Sequence, residues 1–220
     1  MAISFDAKGG NFTNTNPITT LTWSHTCTGS NRIIFVTGRA SESSDDMTAT
    51  YGGVSMTKVT TTLGAASDRI WLFVLHAPAT GANNVVLTKP SFTAGQMDGS
   101  SASYTGALQT STVDSFGNNT ANSTTGTVST TVVASNCWLV GGIRGNSGGA
   151  SSDGTGTVTR SGAFIADTSS QTCISDSNGT VGTGSQSLNW NMPSAIWYAV
   201  AASFEGTAAA TSGKNFLAFM

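Results

Sequence analysis

Short apolar runs separated by small polar residues recur along the whole chain, and this spacing constrains the fold more than any other feature. Runs such as Arg32–Arg39 and Arg69–Ala77 are rich in aliphatic and aromatic residues, and clusters of Gly, Asn, Ser and Asp separate them. No stretch carries the three- and four-residue apolar period of an amphipathic helix with caps at both ends. Many short strands with turn residues between them favour a sandwich or a barrel. We therefore predict an all-β fold, a single jelly-roll-like β-sandwich with long Ser/Thr/Gly loops.

The predicted strands are dominated by Val, Ile, Thr and aromatic residues, which suit a half-buried pleated surface. They are Ile3–Asp6, Thr20–Thr26, Arg32–Arg39, Met47–Tyr51, Val54–Thr60, Arg69–Ala77, Asn84–Thr88, Ala102–Gln109, Thr127–Val133, Asn136–Ile143, Gly156–Arg160, Gln171–Ser175, Ser185–Asn191 and Ala195–Phe204. Tyr51-Gly52-Gly53-Val54 predicts a hairpin, because paired glycines supply the positive φ angles of a tight turn.

Three runs are apolar at successive positions rather than at alternate ones: Ile70–Leu75, Cys137–Val140 and Ile196–Val200. Alternation is typical of a sheet with one face in water. These runs therefore predict strands that are covered on both faces, or strands whose outer face meets a partner.

Two stretches of low complexity, Thr110–Thr131 and Gly145–Gly162, offer almost nothing to bury, and we predict long loops or protruding hairpins there. The strand pattern ends at Phe204–Glu205, so we predict one domain at 1–205 and an extension or arm at 206–220. The extension ends with four large apolar side chains, Phe216, Leu217, Phe219 and Met220. Exposed apolar ends promote aggregation unless they are covered. We expect these residues to dock on a partner; the alternative is a strand that folds back on its own domain.

Charge is scarce: 9% of residues are Asp, Glu, Lys or Arg, against a usual ~25%. The basic residues are scattered singly, so no nucleic-acid footprint is expected. The N-terminus lacks the features of a signal peptide, and no segment approaches the ~20 apolar residues that span a bilayer. We expect a protein that is made in a cytoplasm and does not enter a membrane. We interpret the three cysteines as free thiols and expect Cys137 to be buried. The alternative is that one pair of cysteines forms a disulfide in the mature particle.

Gly145-Asn146-Ser147-Gly148-Gly149 matches the G-x-S-x-G pattern of hydrolase nucleophiles. His25 and Asp68 precede Ser147 in the chain order of trypsin-like proteases. The residues after Gly149 cannot form the helix that a nucleophile elbow needs, and the residues around His25 differ from those of that protease family. We therefore predict that the chain is not an enzyme and has no catalytic residue.

Other ligand-binding patterns are equally weak. His25 and His76 lie at the ends of apolar strands and are interpreted as structural. Asp45-Asp46 lacks the glycine of a calcium loop and is interpreted as a solvated loop. No His/Cys/Asp cluster has zinc spacing, and no glycine-rich phosphate loop is present, so we predict no metal and no cofactor.

Exposed tryptophan or tyrosine rings serve sugar-binding modules as stacking platforms. Most tryptophans of this chain lie beside aliphatic residues and predict core packing. Trp190 is flanked by amide side chains. If a sugar platform exists, we expect it at Trp190 and Tyr104.

One set of motifs goes beyond composition. Tyr51-Gly52-Gly53-Val54-Ser55-Met56-Thr57 is followed by Ile70-Trp71-Leu72, then by Ala77–Val86, and the last strand is Ala195–Phe204. This pattern resembles a group of phage and bacterial β-sandwich proteins found among virion structural proteins, over about Ser4 to Phe204. The resemblance implies a jelly-roll-like sandwich and a place on a phage particle.

The resulting functional hypothesis is a non-enzymatic bacteriophage virion protein, a capsid decoration (cement) protein or a tail- or fibre-associated subunit. Its expected partners are other virion proteins and further copies of itself, with the C-terminal arm docking on a neighbouring subunit or on the capsid shell. The alternative hypothesis is a carbohydrate-binding module that recognises a glycan on the host surface.

Overall fold

The computed structural model is all-β and describes residues 2–10, 12–14, 18–64, 68–91, 96–109, 113–145, 151–162 and 172–207. Within these ranges the strands are β1 Ser4–Lys8, β2 Phe12–Asn14, β3 Thr20–Cys27, β4 Ile33–Ala40, β5 Thr48–Tyr51, β6 Val54–Ser55, β7 Thr57–Leu63, β8 Arg69–His76, β9 Gly81–Thr88, β10 Met97–Thr105, β11 Ser115–Val132, β12 Cys137–Gly145, β13 Ser152–Asp153, β14 Val158–Ser161, β15 Ile174–Asp176 and β16 Gly184–Glu205.

These strands form three antiparallel sheets. The central sheet has the order β1-β10-β4-β8-β7, with β2 beside β10. The outer sheet has the order β3-β9-β5-β6, and Gly52 and Gly53 form the turn between β5 and β6 with φ angles of 56° and 80°. The folded sheet has the order β11-β16-β12-β15-β14, with β13 beside β16.

The central sheet is covered on both faces, so the sandwich is a stack of layers. One face packs on the outer sheet through a core that includes Trp23, Trp71 and Leu87. The other face packs on the folded sheet through a second core that includes Leu72 and Phe204. Because successive side chains of a strand point to opposite faces, a strand between two cores is apolar at every position. This confirms the prediction of doubly covered strands for the apolar run of β8.

The folded sheet doubles back on itself. β11 and β16 pair along their length, with a register shift between Ser123 and Thr125. The two halves of β11 then meet: Asn119 Nδ2 donates to the Thr127 carbonyl at 2.8 Å. A third core, which includes Leu188, Trp190, Trp197 and Ala199, fills the space inside the fold. The result is a nearly closed, barrel-like sheet.

The prediction of a loop or protruding hairpin at Thr110–Thr131 is wrong where the structure describes it, because Ser115–Val132 is the long strand β11. Threonine suits strands through its branched Cβ, and the inward positions Val128 and Val132 are buried in the third core. The polar positions between them pair across the ladder, as in Ser129 Oγ and Ser187 Oγ at 2.8 Å. In Gly145–Gly162, the described part includes the short strands β13 and β14. β14 overlaps the predicted strand Gly156–Arg160, whereas β13 was not predicted.

Candidate functional site

The two described members of the suspected triad lie in different interfaces. His25 faces the central sheet, 1% exposed, and its Nδ1 lies 2.9 Å from Ser101 Oγ. Asp68 lies between the central and folded sheets and binds Arg39. Ser147 lies outside the described residues. His25 and Asp68 therefore bind other partners, and burial lowers the pKa of His25 to about 4 against the opposing charge of Asp6.

The sugar-platform prediction is wrong, because the structure places both rings in the interior with no exposed area. Tyr104 donates its hydroxyl to Asp176 at 2.9 Å in the second core. Trp190 donates its Nε1 hydrogen to Ser175 Oγ at 3.1 Å in the third core. Trp190 was expected to be exposed because amide side chains flank it in the sequence. In the strand, Asn189 and Asn191 point away from the core and Trp190 points into it, because successive side chains alternate between faces.

All three cysteines are buried and free. The prediction that Cys137 is buried and unpaired is confirmed. Burial, followed by the charges of Asp114 and Glu205, raises the pKa of the Cys137 thiol to about 12. Burial also raises the pKa of Cys173 to about 11. Because the thiolate is the reactive form, both thiols are inert at neutral pH.

The Asp45-Asp46 loop binds lysines, so its interpretation as a solvated loop is incomplete. Lys89 is fully buried. Its Nζ donates to Asp46 Oδ1, to Ser44 Oγ at 2.6 Å and to Ser91 Oγ. These bonds satisfy all three hydrogens of the ammonium group. Burial would raise the pKa of Asp46, but the bond from Lys89 holds it well below its usual range.

A buried charge cluster lies between the central and folded sheets. It consists of Arg39, Asp68, Asp98, Arg144 and Tyr198, all nearly inaccessible. Arg39 binds Asp68 in a two-pronged contact at 2.6 and 2.7 Å, and Arg144 Nη2 lies 3.3 Å from Asp68 Oδ2. Tyr198 donates its hydroxyl to Asp68. Burial, opposed by the charge of Arg39, raises the pKa of Asp98 to about 6.

By contrast, the outermost face of the outer sheet carries no charge. This outer-sheet face consists of Thr20, Thr22, Ser24, Thr26, Thr48, Thr50, Asn84, Val86 and Thr88. The rows align across three strands: Thr22 and Thr50 both pair with Val86. Neighbouring strands lie about 4.8 Å apart, so the hydroxyl groups form a regular neutral array.

The far side of the folded sheet presents a second charge-free surface. This folded-sheet face consists of Thr125, Thr127, Ser129, Thr131, Ser185, Ser187, Asn189 and Asn191. Cross-strand bonds link its side chains, as in Thr127 Oγ1 to Asn189 Oδ1 at 3.1 Å. The sequence predicted strands at Thr127–Val133 and Ser185–Asn191, but not that the two strands pair and align their polar side chains on one surface.

Within the part of the chain that the structure describes, no group of three or more His, Cys, Asp or Glu side chains is placed to hold a metal ion. That part also contains no helix with the length and apolarity needed to cross a bilayer. The predicted docking residues Phe216, Leu217, Phe219 and Met220 lie outside the described residues. No model of a known protein family matches the chain, and no similar curated protein or solved structure was found either.

Proposed function

We propose that the chain is a non-enzymatic bacteriophage virion structural protein, either a capsid decoration protein or a tail- or fibre-associated subunit. The observation that carries the proposal is the pair of charge-free faces, the outer-sheet face and the folded-sheet face, on a layered all-β body. Such faces suit a subunit that must pack against many neighbours in a crowded particle.

The distribution of charge supports this assignment. Part of the small number of charged side chains is buried within the body: Arg39, Asp68, Lys89, Asp98, Arg144 and Asp176. Charged groups at an interface must lose their hydration and avoid like charges on the neighbour. Neutral hydroxyl and amide groups avoid both costs, and they form hydrogen bonds to a neighbour or to bridging water.

The body is also suited to bearing load. The central sheet is buried on both faces, and every position of β4 is inaccessible. Burying a large apolar side chain contributes about 1.5–3 kcal/mol, and the three cores bury many of them. No observation favours the carbohydrate-binding alternative, since Trp190 and Tyr104 are both enclosed.

Immunogold labelling of phage particles from a culture whose phage encodes this chain tests the proposal. Antibodies are raised against the purified protein, and particles and supernatant are separated on a density gradient before labelling. We expect gold at regular positions on heads or on tails, which also decides between the two locations. Finding the chain only in the particle-free fraction overturns the proposal.

A further inference from the structure

The buried charge cluster contains polar atoms that have no partner. Nε and Nη1 of Arg144 are buried and have no hydrogen-bond partner among the described residues, and the same is true of Oγ1 of Thr172, whose backbone contacts Asp98 of the cluster. Arg144 is only 3% exposed and Thr172 is completely buried. A buried donor that lacks a partner typically costs about 1–3 kcal/mol, and more when it is charged. The site therefore offers hydrogen-bond donors for which the described part of the chain supplies no acceptor.

Both residues that carry these atoms interact with the carboxylate of Asp98. The backbone nitrogen of Thr172 donates to Asp98 Oδ1 at 2.8 Å, and the charge of Arg144 acts on the same Asp98 carboxyl. Arg144 belongs to β12 and Asp98 to β10, and Thr172 lies two residues before the start of β15. The unpartnered groups thus come from separate elements, and both of their residues interact with Asp98 at the interface between the central and folded sheets.

Arg160, another arginine between the central and folded sheets, has hydrogen-bond acceptors for its guanidinium group. Arg160 Nε donates to Asp176 at 2.6 Å, and its Nη2 donates to Asp176 at 2.9 Å and to Asn178 at 2.7 Å. Arg144 has a single contact with a carboxylate, at 3.3 Å. Its incomplete pairing is a property of this position and not of the interface as a whole.

We propose that the unpartnered donors of Arg144 bind a small monovalent anion of the chloride class inside the buried charge cluster. A guanidinium group can only donate hydrogen bonds, so its complement is an acceptor. The hydroxyl of Thr172 can donate to the same ion. Local opening of the interface gives the ion access to the site, since such opening occurs in folded proteins well below the cost of global unfolding.

Charge balance links this anion to a proton. Among the described residues, the charged groups that face the site are Arg39 from β4, Asp68 just before β8, Asp98 from β10 and Arg144 itself; Tyr198 from β16 is neutral. Two positive and two negative charges cancel when both carboxylates are ionised, and both carboxylates then repel an anion. Asp98 takes up a proton as the pH falls through about 6, which leaves one positive charge in excess. Anion affinity therefore rises as the pH falls through that value.

The test is thermal unfolding of the full chain at constant ionic strength, with chloride exchanged for the bulky anion gluconate, at pH 5 and pH 7.5. A ligand that binds only the folded state raises its stability with concentration. We expect Tm to rise at pH 5 by about 3–6 °C for each tenfold increase in chloride above its dissociation constant. The rise should be smaller at pH 7.5. Arg144→Gln should lose the chloride dependence, whereas Arg160→Gln, the matched control, should retain it.

A wild-type Tm that does not depend on chloride overturns the proposal, as does an equal response of Arg144→Gln and the wild type. Bromide-soaked crystals of the wild-type protein keep the proposal testable if the Arg144 variant does not fold. An anomalous peak beside Arg144 supports an anion. Density without an anomalous signal means that water alone satisfies the donors, and overturns it.

Discussion

His25 illustrates how burial at a single residue controls the pH dependence of stability. Its ring is enclosed between the outer and central sheets, Ser101 Oγ contacts Nδ1, and Nε2 has no partner. A positive charge at this position would lie in an apolar layer beside Trp23, so the neutral ring is favoured. The residue that looked like a catalytic base in the sequence is thus a poor proton acceptor in the folded chain.

We expect acid to destabilise the fold through His25. Because its pKa is about 4 in the folded chain and near 6.5 when unfolded, its contribution is fully present above pH 6.5 and is lost as the pH falls through 4. The full effect is about 3 kcal/mol. Urea unfolding at pH 7.5 and pH 4.5 measures the free energy of unfolding. We expect this free energy to fall less between the two pH values for His25→Asn than for the wild type.

The comparison with the wild type separates the effect of His25 from that of Asp98, because both proteins contain Asp98. The raised pKa of Asp98 increases stability as the pH falls, which is opposite to the effect of His25. His76→Asn is the matched control, since His76 is only partly buried and should change the pH dependence less. Equal losses in the wild type and His25→Asn would show that this histidine is not responsible.

Arg39 is the residue on which the buried charge cluster depends. It binds Asp68 through two nitrogens and approaches Asp98 at 3.5 Å. Arg39→Met leaves both carboxylates without their main partner, so we expect a loss of about 3–5 kcal/mol in the free energy of unfolding. Chemical denaturation at pH 7.5 measures it. Lys58→Met breaks an exposed pair with Asp45 and should cost less than about 1 kcal/mol; similar costs for both variants would contradict the prediction.

At the scale of elements, β11 and β16 form the unusual part of the fold. Each strand runs through the bend of the folded sheet and contributes to both of its halves. Close approach of the two halves requires glycine at Gly117, because a Cβ there would collide with the carbonyl oxygen of Ser129. Although β11 has a low-complexity composition, its packing against Ser129 requires glycine at position 117.

Gly117→Ala should therefore destabilise the protein. Relief of the collision requires the backbone of β11 to shift, and overpacking of this kind typically costs about 1–3 kcal/mol. Gly179→Ala is the matched control, because no atom lies within 4 Å of the added Cβ. Thermal and urea unfolding of both variants measure the difference. If Gly117→Ala is as stable as the control, the halves of the folded sheet do not pack as described.

The all-β class and most strand positions follow from sequence because they depend on local patterns. Strands β3, β4 and β8 were predicted within a few residues, since each is an apolar run between turn residues. Ser115–Gly126 was missed because its pairing with β16 depends on residues that are distant in the sequence, from Ser115 with Ser203 to Gly126 with Trp190. The buried charge cluster was missed for the same reason: Arg39, Asp68 and Arg144 are isolated in the sequence, and only the stacking of sheets brings them together.

At the scale of the whole molecule, the proposed function assigns contacts with the particle to the C-terminal segment and to the charge-free faces. The described chain ends at Thr207, whose backbone nitrogen donates to the Gly106 carbonyl at 2.8 Å. The proposed arm therefore starts from a fixed point on the body. Thirteen residues follow that point, and a chain of this length can extend up to about 43–47 Å.

Deleting residues 214–220 should leave the body folded and weaken its assembly. The deletion removes Phe216, Leu217, Phe219 and Met220 but none of the described core residues. We expect an unchanged midpoint of urea unfolding and reduced co-sedimentation with phage particles. Normal co-sedimentation, or failure of the truncated chain to fold, would show that the segment is not an assembly arm.

A charge placed on a neutral outer face should separate assembly from folding. Thr22 lies in the middle of the outer-sheet face and is exposed, so Thr22→Lys should not disturb the core, and we expect a far-ultraviolet spectrum and an unfolding midpoint close to those of the wild type. At a packed interface the same lysine must lose its hydration without a partner. Association with particles that lack the chain should weaken at least tenfold, which corresponds to about 1.4 kcal/mol.

Thr22→Val is the matched control, because it removes the hydroxyl while keeping the shape and the neutrality of the side chain. Ser129→Lys makes the same test on the folded-sheet face. If only one of the two lysine variants binds weakly, that face is the one in contact with the particle and the other faces solvent. If both lysine variants bind as tightly as Thr22→Val, the charge-free faces are not contact surfaces, and the low charge of the chain needs a different explanation.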